Sequence, residues 1–223
     1  MLLMSTKFWA RTVVVVLGLA FTLTANLRAE DETPAIRVVR EEVAAKNIEK
    51  TRVLGSALGR EPIDQVSKDG YIVGFDFGVG QDGSQKPLLY GIKPVHMTKH
   101  GAMVERAFGA FELPRNRGPK IQTVTVMAKK GYAVSGLVLR TAHTLTAAKV
   151  KFSKVEVDHL DMEDTYESEW LGNQGIGGKS EISTDGQLAV GISAFAENGQ
   201  CIALGLIHLS DGKPEAARRR AIK

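Results

Sequence analysis

The chain has 223 residues, with 29 Lys and Arg against 25 Asp and Glu, a formal charge of +4 and a pI near 9.1. Those bases are concentrated at the ends, in Lys7, Arg11 and Arg28 and again in Lys213, Arg218, Arg219, Arg220 and Lys223, so the body between them is acidic, at about −3, and nucleic acid is excluded as the expected partner. A single cysteine, Cys201, excludes an internal disulfide, a usage that suits a bacterial exported protein better than a small eukaryotic secreted domain.

Residues 1–29 read as a cleavable signal peptide. Lys7 and Arg11 supply the basic start, and Val13 to Ala25 supplies an uncharged apolar run. That run is too short to cross a bilayer, which takes roughly 20 apolar residues, and no cysteine stands near the expected cut after Ala29 to accept a lipid. The expectation is a secreted or periplasmic protein with no membrane span after cleavage. Residues 30–52 are charged and Ala-rich, and predict a tether or a short exposed helix starting after Pro34.

From Val53 the pattern changes to short β-branched runs punctuated by glycine, which predicts an all-β domain over residues 53–210. The segment Lys68 to Phe75 (KDGYIVGF) recurs as Lys129 to Leu137 (KKGYAVSGL), and more loosely as Asp185 to Ile192 (DGQLAVGI). Each copy starts at a turn glycine and is followed by a second strand: Leu88 to Val95, Ala148 to Val155 and Cys201 to Leu209. Copies spaced by about 55 to 61 residues signal pseudo-threefold architecture, with three antiparallel sheets packed around one axis; a β-sandwich is the alternative. Residues 211–223 read as a solvated basic tail.

None of the motifs that suggest chemistry survives inspection. Gly172 to Ser180 (GNQGIGGKS) misses the phosphate-loop pattern by one position and leads into strand-like alternation, where a phosphate loop would open a helix. His96 and His100 have helical metal spacing but lack the intervening Glu of a zinc protease, and read as surface histidines of a hairpin loop. The acids Asp158, Asp161, Glu163, Asp164, Glu167 and Glu169 do not match a calcium loop, and read as solvated. Tyr166, Trp170 and Cys201 read as packing residues. The expectation is no catalytic site, no metal and no cofactor; the chain reads as a binding protein, not an enzyme.

The segment Tyr166 to Leu209 resembles the last third of jacalin-type lectin domains, with an aromatic-plus-glycine loop, a Gly-rich connection and a hairpin returning through Ala203-Leu204-Gly205. Leu89 to Val95 and Val124 to Leu139 resemble that family's earlier strands. The resemblance implies a β-prism of three four-stranded sheets, with carbohydrate held at one end by Gly55 and Gly59 and by the final hairpin turn, Glu197, Asn198, Gly199 and Gln200. The family's turn also carries an Asp that accepts hydrogen bonds from sugar hydroxyls. Here that position falls on Ile202, or on Ala203 when counted from Gly199, and neither side chain can accept. The function so implied is an exported jacalin-like module for glycans or envelope polysaccharide; the alternative is a structural or protein-interaction module that has lost sugar binding.

Overall fold

The three sequence repeats become three long antiparallel hairpins in the computed structural model, which describes residues 32–56, 59–81, 85–112 and 120–211. The signal-peptide residues and the basic tail beyond Asp211 lie outside the described residues. The chain opens with α1 (Pro34–Ala44), β1 (Ile48–Lys50), β2 (Leu54–Gly55) and β3 (Ile63–Val66). The first hairpin is β4 (Gly70–Gln81) with β5 (Pro87–Thr98), followed by β6 (Gly101–Val104), β7 (Phe108–Gly109) and β8 (Gln122–Met127). The second is β9 (Tyr132–Thr141) with β10 (Leu145–Val155), followed by β11 (Leu160–Glu167), β12 (Leu171–Gly172) and β13 (Gly178–Ser183). The third, β14 (Ala189–Glu197) with β15 (Gln200–Leu209), ends the fold.

Each hairpin is the centre of one sheet. The first sheet runs β6-β5-β4-β8 with β7 also on β5, and the second runs β11-β10-β9-β13 with β12 also on β10. The third runs β1-β15-β14-β3 with β2 also on β15. Each is therefore four ribbons wide with one outer ribbon broken in two, a β-prism rather than a sandwich. The third sheet takes its outer strands from the start of the chain, so Ile48 pairs with Leu209 and the two ends of the domain are locked into one ladder.

Alternation along the central strands sends Phe75 and Phe77, Val150 and Phe152, and Leu204 and Leu206 into one shared core. The three sheets meet at three seams, each bridged by a hydrogen bond. Tyr166 accepts from the Lys129 N–H at 2.6 Å between the first and second sheets, and Arg52 donates to the Glu181 carbonyl at 2.9 Å between the second and third. Gln65 donates to Glu105 at 3.1 Å between the third and first.

The end of the prism away from the hairpin turns is plugged by α1. Thr33 caps it, its Oγ accepting from the Ile36 N–H at 3.4 Å, and Pro34 supplies a preset first turn. Composition suggested an exposed helix, but Ala35, Ile36 and Val39 are buried against Tyr71, Val190, Ile207 and Leu209. Their spacing forms an apolar stripe on an otherwise charged helix.

A second correction concerns His96. It was expected on a hairpin loop, yet it is fully buried in β5, and only His100 lies at the turn. Burial lowers the His96 pKa below its usual 6.5, against the opposing pull of Glu105 and Asp69. Cys201 is buried, as expected, and burial pushes its thiol up to about 12.

Candidate functional site

At the turn end, Asn198 and Gly199 close the third hairpin as a two-residue loop, with φ of 50° and 76°. Positive φ at both positions matches the right-handed twist of the flanking strands, and it explains Asn-Gly there. Glu197 pairs across the turn with Gln200, and the Gly199 carbonyl accepts from the Ala110 N–H at 3.0 Å, so the first sheet steadies the turn from one side.

The N-terminal segment steadies it from the other. Gly55 pairs with Ala203, and the Ser56 N–H donates to the Ile202 carbonyl at 3.1 Å. A Cβ on Gly55, whose φ is +106°, would stand 2.1 Å from that same carbonyl oxygen, so only glycine fits. Gly59 has φ of +75° with open space around it, and residues 57–58 lie outside the described residues. Next to Gly59, Arg60 places its guanidinium 3.5 Å from the Glu197 carboxylate and 5.6 Å from the centre of the Phe195 ring.

Gly55 and the turn residues Glu197 to Gln200 are thus gathered at one end of the prism. Arg60, Phe195 and Ala110 belong to the same end; Phe195 shares β14 with Glu197, whereas Arg60, between β2 and β3, and Ala110, just after β7, carry no local sequence signal that places them there. Asn198 is exposed, and Glu197 and Gln200 are half-buried. Ile202 is a bulged residue of β15, standing between Cys201, opposite Ala196, and Ala203, opposite Phe195. Its side chain is buried against Phe195, Ala203 and Val53 and offers a ligand no acceptor.

The other sequence motifs take structural places. Residues 178–183 form a strand, and the Asn173 carboxamide oxygen accepts from the Gly175 N–H at 2.9 Å, which closes the loop on itself. The acidic segment forms the outer strand β11, where Glu167 pairs with Lys149 at 2.9 Å and with Lys151 at 3.7 Å. These cations hold the Glu167 carboxyl below its usual pKa, the Lys149 hydrogen bond first among the causes. Tyr166 stacks on Phe152 with centroids 5.0 Å apart and meets the Tyr132 ring edge-on at 5.2 Å. Among the described residues, no three His, Cys, Asp or Glu side chains converge as a metal cluster, and no helix is long and apolar enough to cross a membrane.

No protein-family model matches this chain, and no curated protein matches it. Among solved structures it is similar to Calystegia sepium agglutinin, at 12% identity over 73% of this chain and 96% of that one, with a TM-score of 0.52. It is also similar to wild-type Malaysian banana lectin, at 12% identity over 73% and 99% with a TM-score of 0.48. A mannose-specific jacalin-related lectin from Morus nigra, solved in complex with mannose, matches at 11% identity over 74% and 95% with a TM-score of 0.48. At these identities the likeness is one of fold, and the fold of this chain is the jacalin-like β-prism.

Proposed function

We propose that this chain is an exported carbohydrate-binding β-prism module, taking glycans or envelope polysaccharide at the end built from Gly55, Gly59 and the Glu197–Gln200 turn. The observation that carries this reading is the convergence, at one prism end, of an N-terminal glycine segment and the final hairpin turn, in a fold shared with an agglutinin. The Asn198 and Gln200 amides and the Glu197 carboxylate provide donors and acceptors matched to sugar hydroxyls. Export rests on the signal-peptide pattern of residues 1–29.

A site of two amides and an ion-paired carboxylate on an open turn binds with Kd near the millimolar range, about −4 kcal/mol. Asn198→Ala removes one hydrogen-bonding group worth about 0.5–1.5 kcal/mol and weakens binding roughly 2- to 10-fold. A glycan array probed with the mature protein and with Asn198→Ala tests this. Binding absent from a folded protein, or binding indifferent to Asn198→Ala, overturns the reading.

One observation favours a second reading, a structural or protein-interaction module on the same fold: Ile202 is buried where the resemblance calls for an Asp, and Glu197 is engaged by Arg60. A blank array from a protein with an intact thermal transition selects it.

A further inference from the structure

The final hairpin turn gathers the groups of a reaction that needs only water. An asparagine loses its amide when the main-chain nitrogen of the next residue attacks its side-chain carbonyl carbon. Three features govern that attack: the bulk of the next residue, what holds the amide, and whether the peptide between the two can turn. The described residues include three asparagines. Asn47 precedes the β-branched Ile48, and its amide donates to the Glu42 carboxylate at 2.7 Å. Asn173 is buried and precedes Gln174, and its carboxamide oxygen accepts from the Gly175 N–H at 2.9 Å. Asn198 is exposed and precedes Gly199, and its carboxamide makes no hydrogen bond among the described residues. No Cβ on Gly199 crowds the attacking nitrogen. The turn is held on either side of the peptide that must rotate, by the pairing of Glu197 with Gln200 and by the Ala110 N–H on the Gly199 carbonyl. Among the described residues neither the Asn198 carbonyl nor the Gly199 N–H has a backbone partner, so that peptide rotates without breaking a backbone hydrogen bond. Rotation also takes Asn198 out of a left-handed φ of 50°, which a residue with a side chain holds only at a cost.

We propose that Asn198 is a self-modification site, at which the folded turn exchanges its neutral amide for a carboxylate. The Gly199 nitrogen loses its proton to hydroxide and bonds to the Asn198 Cγ; the Cγ–Nδ2 bond breaks, and Nδ2 leaves as ammonia with a proton from water. The resulting five-membered imide joins Cγ, Cβ, Cα and the main-chain carbonyl carbon of Asn198 to the Gly199 nitrogen. Water then opens one of its two C–N bonds. Opening at Cγ restores the main chain and leaves an aspartate. Opening at the main-chain carbonyl leaves an isoaspartate, whose main chain is one carbon longer. The aspartate suits a two-residue turn with positive φ as well as the asparagine does, so the hairpin is kept; the longer isoaspartate disturbs the pairing of Glu197 with Gln200. The new charge also changes what the turn offers. Its one carboxylate, Glu197, has the Arg60 guanidinium at 3.5 Å, and a second beside it leaves one acid free to accept from ligand hydroxyls. That consequence, unlike the modification itself, rests on the carbohydrate reading of the turn.

The test uses the mature chain, freshly purified and then held folded, below its melting midpoint, in buffers of rising pH. Peptide mass spectrometry locates each change. The expected result is a gain of one mass unit at Asn198 while Asn47 and Asn173 stay unchanged, faster as hydroxide rises. Endoproteinase Asp-N then cuts before residue 198 in the aged protein and not in the fresh one. Asn198→Gln abolishes the gain, since its imide would need a six-membered ring, and an exposed position admits the longer side chain. Gly199→Ala slows the gain by crowding the nitrogen. No gain at residue 198 in the folded chain overturns the proposal. So does a gain shared equally with Asn47 and Asn173, or one that persists at residue 198 in Asn198→Gln. The aspartate form, separated by anion exchange, and the Asn198→Asp variant are then compared with fresh protein on the glycan array. Both should bind roughly fivefold tighter, a charged acceptor replacing a neutral one. Unchanged binding overturns the role given to the new carboxylate. An array blank for every form, with the mass gain present, overturns the carbohydrate reading and upholds the modification site.

Discussion

The prism predicts three equivalent corner glycines, and replacing them separates the cost of backbone angle from the cost of space. Gly172 has φ of +88°, and a Cβ there would stand 2.2 Å from the Thr146 carbonyl oxygen and 3.0 Å from the Ala147 Cα. Gly131 has nearly the same φ, +85°, with nothing within 4 Å of a Cβ. Alanine at either site pays about 1–2 kcal/mol for the left-handed angle and gains the same small entropy benefit in the unfolded chain. Only at Gly172 does it also strike a backbone carbonyl, which no rotamer change can move. To relieve that contact β12 must part from β10, at the expense of the Asn173 N–H bond to Thr146, 2.8 Å long, and the Ala147 and Ala148 pairing. Overpacking of this kind adds about 1–3 kcal/mol.

Gly131→Ala should therefore cost about 1–2 kcal/mol and Gly172→Ala about 2–5 kcal/mol. Gly55 and Gly109, whose added Cβ atoms would lie 2.1 Å from the Ile202 oxygen and 2.0 Å from the Tyr90 oxygen, should fall with Gly172. Urea unfolding reports these differences through Trp170, the one tryptophan among the described residues. Equal losses at Gly131 and Gly172, or three corners that scatter from no effect to a large one, would refute the equivalence on which the argument stands.

Two further outcomes follow from buried titratable groups. Because burial lowers the His96 pKa, the unfolded chain takes up that proton first as pH falls. Stability should be full above about pH 6.5 and decline below it toward the folded-state pKa, with a limiting slope of about 1.4 kcal/mol per pH unit. His96→Phe should flatten the urea midpoint between pH 5.5 and 7, and a slope unchanged in that variant would remove His96 as its source. Cys201, buried and pushed up to about 12, should react with iodoacetamide at pH 8 only as fast as the domain opens. Labelling faster than the unfolding rate measured in parallel would contradict its place in the core.

The fold was legible in the sequence where local pattern and global position coincide. Gly70, Gly131 and Gly186 each lead into an apolar run whose alternation faces a shared core, so the three hairpins are visible as a repeat. The closing strand β1 was not legible: Ile48-Glu49-Lys50 has no periodicity of its own, and is a strand because Ile207 to Leu209 lies beside it. His96 was misplaced for a similar reason. Its spacing to His100 is local, but the Val190 carbonyl and Glu105 that define its surroundings come from another sheet and another strand connection. In α1, the stripe of Ala35, Ile36 and Val39 was present in the sequence but was outweighed by the charge around it. At the turn end, Asn198 and Gly199 announced the hairpin, whereas the approach of Arg60 to Glu197 depends on closing the prism with the N-terminal strands.

The three ends of the hairpins also explain what kind of ligand the turn end suits. The bulged residues opposite the corner glycines are Tyr90, Thr146 and Ile202. Tyr90 donates its hydroxyl to the Gln81 carbonyl at 3.3 Å, Thr146 donates to the Ile176 carbonyl at 2.8 Å, and Ile202 packs on Phe195 and Val53. None of the three bulged residues thus carries a carboxylate where the lectin resemblance asks for one, and under the proposed function recognition at the third hairpin falls to the turn's own side chains. Neutral amide contacts contribute about 1 kcal/mol each, and Glu197 joins them only by exchanging Arg60 for a ligand. A site so composed gains little from an isolated monosaccharide. A polymer that presents the same epitope many times offers the turn a neighbouring epitope at once when one is released, without any added contact. The replacement of the Asp by a packed Ile202 therefore favours a repetitive polysaccharide over a free sugar as the ligand of the proposed function.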